Sequence, residues 1–301
     1  MIGNCQASAV GQSLRLLLPE AEVTFQNIYK LSNTHGGMEA FIVAHRDFDV
    51  ILASSIPANS GSPSDPTLLG PTPRTVLLPN IFFPAFHPDL VYVGDVDGPP
   101  RGQLESPVGP YHSALALYGF RRGASVEDTL GLFRREVYAR VGYLDAWPGA
   151  TKGLSWLAGQ AGWEIGPDLA RWSRRGAFMH SPNHPRMFVA ADIARSFLRK
   201  AGIAFDDFDI EPYLHDELLA QGSWPVYPEI GELYGLAGAY VFLPRSRRGR
   251  RQPEPLTLRR FVEGSFAIYR RRSASDLACA RVEAWLVDET LARDLRDHLH
   301  R

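Results

Sequence analysis

The sequence has little of what stabilises or anchors an extracellular protein. Its two cysteines, Cys5 and Cys279, cannot form the disulfide framework of a small secreted domain. No apolar run approaches the roughly 18 residues of a transmembrane helix. Residues 1–5 have neither the basic nor the apolar region of a secretory signal, so we expect a cytoplasmic protein. The 32 basic and 33 acidic side chains nearly cancel, so no overall field attracts nucleic acid or an anionic membrane.

Several cofactor motifs are also absent. The sequence has no Gly-x-Gly-x-x-Gly or Walker loop, and therefore no fingerprint of a dinucleotide or ATP site. It has no Cys-x-x-Cys pair, and a proline-rich turn separates His180 from His184, so no metal site is expected. With 301 residues and 45% hydrophobic side chains, the chain can bury an ordinary core in one large domain or two small ones.

The spacing of apolar residues predicts an α/β fold. Helical spacing and short apolar runs alternate in the first third of the chain. They predict a strand end at 1–5, helices at 7–18 and 38–48, and strands at 23–29, 49–56, 75–83 and 90–93. This alternation indicates a parallel sheet flanked by helices, with functional residues beyond the carboxyl ends of the strands. The proline-rich segment 57–74 is predicted to be a loop.

The pattern becomes helical after the first third of the chain. Ser125 and Asp128 predict a capping box, followed by an apolar stripe over 126–141. Residues 177–180 are predicted to return to the sheet, and His184-Pro185 to open the last core helix. We therefore expect four segments: an α/β core over 1–110, a helical insertion over 111–175, a return to the core over 176–204, and a C-terminal extension over 205–301, helical at 256–270 and 275–299.

Cys5 is the first candidate for chemistry. It lies in Gly3-Asn4-Cys5-Gln6, at a predicted strand-to-helix turn, where the positive end of the helix favours a thiolate. Backbone N–H groups at such a turn can also hold an oxyanion, as an acyl-transfer nucleophile requires. The alternative is an unreactive buried cysteine, which is the usual case for an isolated one.

Two further segments supply candidate catalytic groups. His180 and His184 flank a short turn before a predicted helix, where a histidine can act as a base near neutral pH or simply cap the helix. Asn80 follows a predicted strand in Pro79-Asn80-Ile81. Its amide can donate a hydrogen bond to an oxyanion or a sugar hydroxyl, or it can form an Asx turn.

Two segments are candidates for anion binding. Tyr111-His112-Ser113 is predicted to open a helix, whose N–H groups and hydroxyl can hold a phosphate, or which can start without a ligand. The run 245–251 contains five arginines, which is typical of a solvated loop, although an anionic carrier or cofactor could also use it.

These segments together resemble the WcbI-like family of polysaccharide biosynthesis proteins, proposed acetyltransferases of capsule assembly. The matching pieces, in chain order, are 3–7, 49–52, 79–81, 111–113, 178–180, 183–185 and 224–229. The resemblance implies a cytoplasmic protein that binds coenzyme A (CoA) and transfers an acetyl group to a sugar hydroxyl, with Cys5 as the nucleophile. The layout is also similar to the Rossmann-like plan of SGNH hydrolases, with Cys5 in place of the serine and His184 as the histidine. Ser181 then occupies the position of the usual aspartate, so the base lacks its carboxylate partner.

The expected site follows from these resemblances. The catalytic residues are Cys5, His184, His180 and Asn80, and the CoA-binding residues are Gln6, Tyr111, His112, Ser113, Arg121 and Arg122. Arginine is assigned to the CoA phosphates because the chain has only three lysines. The expected function is CoA-dependent O-acetylation of a polysaccharide or its sugar precursor, with acetyl-CoA as the donor. Two alternatives stay open: an SGNH-like thiol esterase or deacetylase, and a non-catalytic CoA- or glycan-binding protein if the short first strand leaves Cys5 misplaced.

Overall fold

The computed structural model describes residues 1–54, 75–94, 103–246 and 253–299. The chain forms two compact units. The first consists of Met1–Phe83, Thr151–Met179 and Asn183–Leu218, and the second of Pro84–Ala150, His180–Pro182 and Leu219–Arg301. These limits differ from the predicted boundaries at 110, 175 and 204. The predicted loop at 57–74 lies outside the described residues, as does most of the arginine run, from 247 onward.

The secondary structure consists of short strands and helices of very different length. The strands are β1 (Ile2–Gly3), β2 (Gln26–Asn27), β3 (Ile51–Ser54), β4 (Thr75–Leu78), β5 (Leu90–Val91), β6 (His112–Ser113), β7 (Met179–Ser181), β8 (His184–Pro185), β9 (Val241–Phe242) and β10 (Leu256–Thr257). The helices are α1 (Cys5–Leu17), α2 (Leu31–His35), α3 (Met38–Ala44), α4 (Ala114–Arg121), α5 (Val126–Leu130), α6 (Arg135–Arg140), α7 (Ala146–Gln160), α8 (Gly166–Ser173), α9 (Met187–Lys200), α10 (Pro228–Leu233), α11 (Leu258–Tyr269), α12 (Ala280–Val287) and α13 (Glu289–Leu299).

A four-stranded parallel sheet in the order β2-β1-β3-β4 forms the centre of the first unit and confirms the predicted α/β class. The short strand β1 is central, because Ile2 pairs with Gln26 on one side and with Ala53 on the other. The four strands run in the same direction and therefore end at one edge of the sheet. The segments that follow β1, β2 and β4 all begin at this carboxyl edge.

Gly3 is required at the end of β1 because the adjacent strand β3 approaches it closely. A Cβ atom at this position would overlap the side chain of Ser54 on β3 and would lie 2.8 Å from the Cβ atom of Ala7. The next residue, Asn4, caps α1 by accepting a hydrogen bond from the backbone N–H of Gln6 at 2.9 Å. This cap explains why the helix begins at Cys5, two residues earlier than the sequence predicts.

Two predictions about the segment around His184 are wrong. The strand β7 forms a separate two-stranded sheet with β8 and does not join the parallel sheet. The last core helix, α9, begins at Met187, because His184 and Pro185 are extended. Pro185 accounts for the extended backbone of His184, since the residue before a proline disfavours helical geometry. Helix α9 then packs along α1 in the first unit.

The second unit is mainly helical, and it includes most of the predicted helical insertion. The capping box at Ser125 and Asp128 is confirmed, but the stripe over 126–141 is divided between α5 and α6. The strand predicted at 90–93 is shorter and pairs antiparallel with β6, so it is not a fourth strand of the parallel sheet. Among the described residues, no helix combines the length and apolar character that a bilayer span requires.

The packing at Gly3 yields a prediction about stability. Gly3→Ala forces a methyl group into the Ser54 and Ala7 side chains, and we expect it to lower the free energy of unfolding by about 1–3 kcal/mol. Gly149→Ala in α7 is the control, because no atom lies within 4 Å of its added Cβ and alanine favours a helix. Urea denaturation measures both variants. Equal stability of the two would show that β3 does not constrain Gly3.

Candidate active site at the carboxyl edge of the sheet

Cys5 is the first residue of α1 and directly follows the central strand of the sheet. It is a free cysteine, and its side chain is partly exposed. The pairing of β1 with β2 and β3 holds the chain on both sides up to Gly3, and the Asn4 cap then orients the first turn of the helix. The short first strand is therefore well anchored.

The electrostatics of Cys5 differ from the expectation based on its helix position. Burial raises the pKa of the Cys5 thiol above its ordinary value of 9.0. The backbone N–H groups of Cys5 and Gln6 lower this pKa, as expected at a helix start, but they offset only part of the effect of burial. The resting form of Cys5 near neutral pH is thus the thiol, and a base must remove its proton before it can attack an electrophile.

Gln6 binds three backbone groups from two distant segments. Its side-chain Nε2 donates to the carbonyl oxygens of Ile81 and Asn183, both at 2.8 Å, and its Oε1 accepts from the N–H of Ile81 at 2.9 Å. Gln6 is buried, with 6% of its surface exposed. Its amide therefore connects the first turn of α1 to the segment after β4 and to the residue before His184. These contacts give Gln6 a positioning role, whereas its predicted contact with CoA stays a prediction.

Asn80 follows β4 and lies beside the start of α1. The side-chain Nδ2 of Asn4 donates to Oδ1 of Asn80 at 3.1 Å. Because this hydrogen bond uses the carbonyl end of the Asn80 amide, the NH2 end is the one that can donate to another group. The donor role of Asn80 stays a prediction.

His184 and His180 have different surroundings. His184 is buried. The residue before it, Asn183, accepts a hydrogen bond from Gln6 through its carbonyl oxygen, and the strand β8 that contains His184 contacts α1. His180 is also buried, but it belongs to the second unit, where its carbonyl oxygen accepts from the N–H of Trp224 at 2.8 Å. Within the first unit, His184 is therefore the predicted base that lies beside the helix of Cys5.

A narrow, mainly apolar cleft lies next to these residues in the first unit. It runs between α1, α9 and the end of β4. Its walls consist of Gln6, Ala7, Val10, Ser54, Leu78, Pro79, Ile81, Pro185, Val189, Ala190 and Ile193. In the part of the chain that the structure describes, no three His, Cys, Asp or Glu side chains cluster so that they could hold a metal ion.

The predicted phosphate-binding residues lie in the second unit and have the contacts of core residues. His112 is fully buried, with its ring nitrogens 2.9 Å from the Tyr269 hydroxyl and 2.9 Å from the Leu104 carbonyl oxygen. Burial lowers the pKa of His112 to about 4, so the ring is neutral near pH 7. The Ser113 hydroxyl caps α4 by accepting from the N–H of Ala116. Neither side chain supplies a positive charge to an anion.

The two predicted arginines end α4. Arg121 donates to the carbonyl oxygen of Leu277 at 3.3 Å, and the guanidinium of Arg122 lies 5.5 Å from the centre of the Tyr118 ring. Both cations offset the negative end of the helix dipole. Tyr111 is buried and stacks on Tyr92. Binding of CoA phosphates by these residues stays a prediction.

Tyr29, which follows β2 at the same edge, is not among the site residues expected from the sequence. Its side chain is 74% exposed, and the pairing of Gly3 with Asn27 brings the chain after β2 beside the chain after β1. The available signal was its place at the end of the predicted strand over 23–29.

Comparison with known proteins gives the family. The family described as "Polysaccharide biosynthesis enzyme WcbI" matches residues 1–206. The chain belongs to the WcbI family. One solved structure is similar over 100% of this chain and 98% of its own chain. It is the structure of WcbI, described as a novel polysaccharide biosynthesis enzyme, in its native form without a disulfide bond between CoA and a cysteine. Its TM-score is 0.60 at 15% identity, which establishes a shared fold. No curated protein sequence matches the chain.

The raised pKa of Cys5 gives a measurable pH dependence. Because the thiolate is the form that reacts, alkylation of Cys5 by iodoacetamide should be slow near neutral pH and accelerate until the pH exceeds 9.0. Mass spectrometry of the labelled peptides over a pH series measures the rate. Cys279 is the internal control: it is buried and its pKa is also raised, so it should label after Cys5. A Cys5 rate that is already maximal near neutral pH would contradict the effect of burial.

The contacts of Gln6 give a second prediction. Gln6→Ala leaves the N–H of Ile81 and two carbonyl oxygens without their partner, and we expect a loss of about 1–3 kcal/mol in the free energy of unfolding. Gln12→Ala is the matched control on α1, since the Nε2 of Gln12 has no hydrogen-bond partner among the described residues. Urea denaturation compares the two. Equal losses would refute a special role for the Gln6 contacts.

Proposed function

We propose that this WcbI-family protein is a CoA-dependent O-acetyltransferase that acts on a polysaccharide or its sugar precursor, with Cys5 as the nucleophile. One observation carries the proposal: a partly exposed cysteine begins a helix at the carboxyl edge of the sheet, and the residue that caps this helix, Asn4, binds the side-chain oxygen of Asn80. Membership of a family named for polysaccharide biosynthesis supports the acceptor class. The solved WcbI structure is described by the absence of a disulfide bond between CoA and a cysteine, and this mention of CoA supports the choice of donor.

In the first half-reaction a histidine removes the thiol proton of Cys5. His184 is the first candidate, because it follows the residue that Gln6 binds, and His180 is the second. The Cys5 sulfur then attacks the carbonyl carbon of acetyl-CoA, and a new C–S bond forms. The carbonyl oxygen becomes an oxyanion, which accepts hydrogen bonds from the Asn80 NH2 group and from N–H groups at the start of α1. When the oxyanion collapses, the bond to CoA breaks and the CoA sulfur takes the proton from the histidine.

In the second half-reaction the same histidine accepts the proton of a sugar hydroxyl. The sugar oxygen attacks the thioester on Cys5, an acetyl ester forms, and the Cys5 sulfur leaves and recovers the proton. The raised pKa of Cys5 fits this scheme, because the nucleophile is activated only when a base is in place.

The CoA molecule carries a pyrophosphate and a 3′-phosphate. Tyr111, His112, Ser113, Arg121 and Arg122 remain the proposed contacts, with the charge coming from the two arginines. His112 is neutral and buried, and both of its ring nitrogens already have partners, so a contact with CoA requires that these hydrogen bonds change. The backbone N–H groups at the start of α4 are the other donors in this segment.

Incubation with acetyl-CoA tests the proposal. The wild-type protein should gain one acetyl group on Cys5 and pass it to de-O-acetylated oligosaccharides, which mass spectrometry detects for both species. Cys5→Ser should abolish the thioester and reduce transfer by about 100-fold or more, because the weaker nucleophile must be activated by the same base. Cys279→Ser is the control and should transfer at the wild-type rate.

The other outcomes identify the alternatives. A Cys5→Ala variant that transfers at the wild-type rate contradicts the role of Cys5. Release of acetate without acetylation of the oligosaccharide indicates a thiol esterase or deacetylase. Binding of CoA without loss of the acetyl group indicates a non-catalytic binding protein.

A further inference from the structure

Tyr29 is the most exposed aromatic side chain beside Cys5. Strands β1 and β2 are parallel neighbours, with Gly3 opposite Asn27, so Cys5 and Tyr29 are each the second residue after the end of their strand. Both therefore lie at the carboxyl edge of the sheet, within the first unit. A single exposed aromatic residue is common on protein surfaces, so its exposure alone indicates no function.

The backbone around Tyr29 is firmly held, and its turn directs the side chain outward. Residues Ile28–Lys30 form a short 3-10 helix, which Asn27 caps by accepting from the N–H of Tyr29 at 2.9 Å. Ile28 and Leu31 are buried on either side, with 1% and 0% of their surfaces exposed. Tyr29 thus extends from an anchored turn into solvent.

Tyr29 also lies close enough to Cys5 for their charges to interact. Although 74% of the Tyr29 surface is exposed, desolvation of its hydroxyl and the charge of a Cys5 thiolate both raise the pKa of Tyr29 above 10.0. The hydroxyl therefore stays protonated at working pH and can donate a hydrogen bond. The charged group that raises the pKa of Tyr29 is the Cys5 thiolate.

We propose that Tyr29 forms the acceptor side of the Cys5 site, where its ring stacks against the sugar whose hydroxyl is acetylated. The inference rests on the proposed acetyl transfer and names a specificity-determining residue for it. An exposed, rigid aromatic ring offers a flat apolar face to the C–H groups of a sugar ring, and the phenol hydroxyl can donate to a sugar oxygen. Few rotatable bonds separate the ring from the anchored turn, so little conformational entropy is lost when a sugar binds.

The two half-reactions separate this role from one in binding CoA. For Tyr29→Ala we expect the rate of Cys5 acetylation by acetyl-CoA, measured without acceptor, to remain at the wild-type value. We expect the KM for de-O-acetylated oligosaccharides to rise about tenfold, the upper range for one aromatic contact. Tyr29→Phe retains the ring and should change this KM by less than about threefold. Tyr213→Ala is the matched control, since Tyr213 is 69% exposed in the same unit and does not follow a strand of the sheet.

Three results would overturn the inference. An unchanged KM in Tyr29→Ala, with normal transfer by the wild type, removes Tyr29 from the acceptor site and leaves the proposed function intact. Slower acetylation of Cys5 in that variant assigns Tyr29 to the donor side. A wild-type protein that forms no thioester on Cys5 refutes the proposed function itself, and the role of Tyr29 with it.

Discussion

The buried amide of Gln6 determines how the candidate catalytic groups of the first unit are arranged. Its two donors and one acceptor bind the backbone of Ile81 and Asn183, which are 75 and 177 residues away along the chain. Asparagine has the same groups but a shorter side chain, and glutamate has no N–H donors. The residue after Cys5 thus anchors both the segment that carries Asn80 and the segment that carries His184. A displacement of this amide would move both of them relative to the sulfur.

The helix start and the burial of Cys5 act on its pKa in opposite directions, and burial has the larger effect. A cysteine that was a thiolate at rest would react with oxidants and stray electrophiles whenever the site was empty. A thiol that needs a base reacts only when a histidine can accept its proton. His184 follows Asn183, whose carbonyl oxygen accepts a hydrogen bond from Gln6. The position of His184 is therefore as important to the chemistry as the position of Cys5 on its helix.

Local patterns in the sequence were sufficient for the four strands of the parallel sheet, which short apolar runs reveal. The first helix was predicted to begin two residues too late, because the Asn4 cap that sets its start was not recognised. The errors arose where pairing is decided by distant segments or by competing local geometry. β5 pairs with β6, although its sequence would also suit a parallel strand, and Pro185 keeps its neighbour extended although a proline often opens a helix. Tyr29, for which we propose a role, was missed because an exposed tyrosine has no periodic signature.

The same reasoning explains why the candidate nucleophile was easier to find than the cofactor contacts. A cysteine at a strand-to-helix turn has one local reading once the strand is recognised, whereas His112 next to a helix start has two: it can face a ligand or the core. In the structure, one ring nitrogen of His112 lies within hydrogen-bond distance of the distant Tyr269 and the other of the nearby Leu104. Burial keeps the ring neutral. Only the tertiary packing of α11 distinguishes these readings. If CoA binds as proposed, its phosphates must therefore rely on guanidinium groups and backbone N–H groups, which carry their donors without titrating near pH 7.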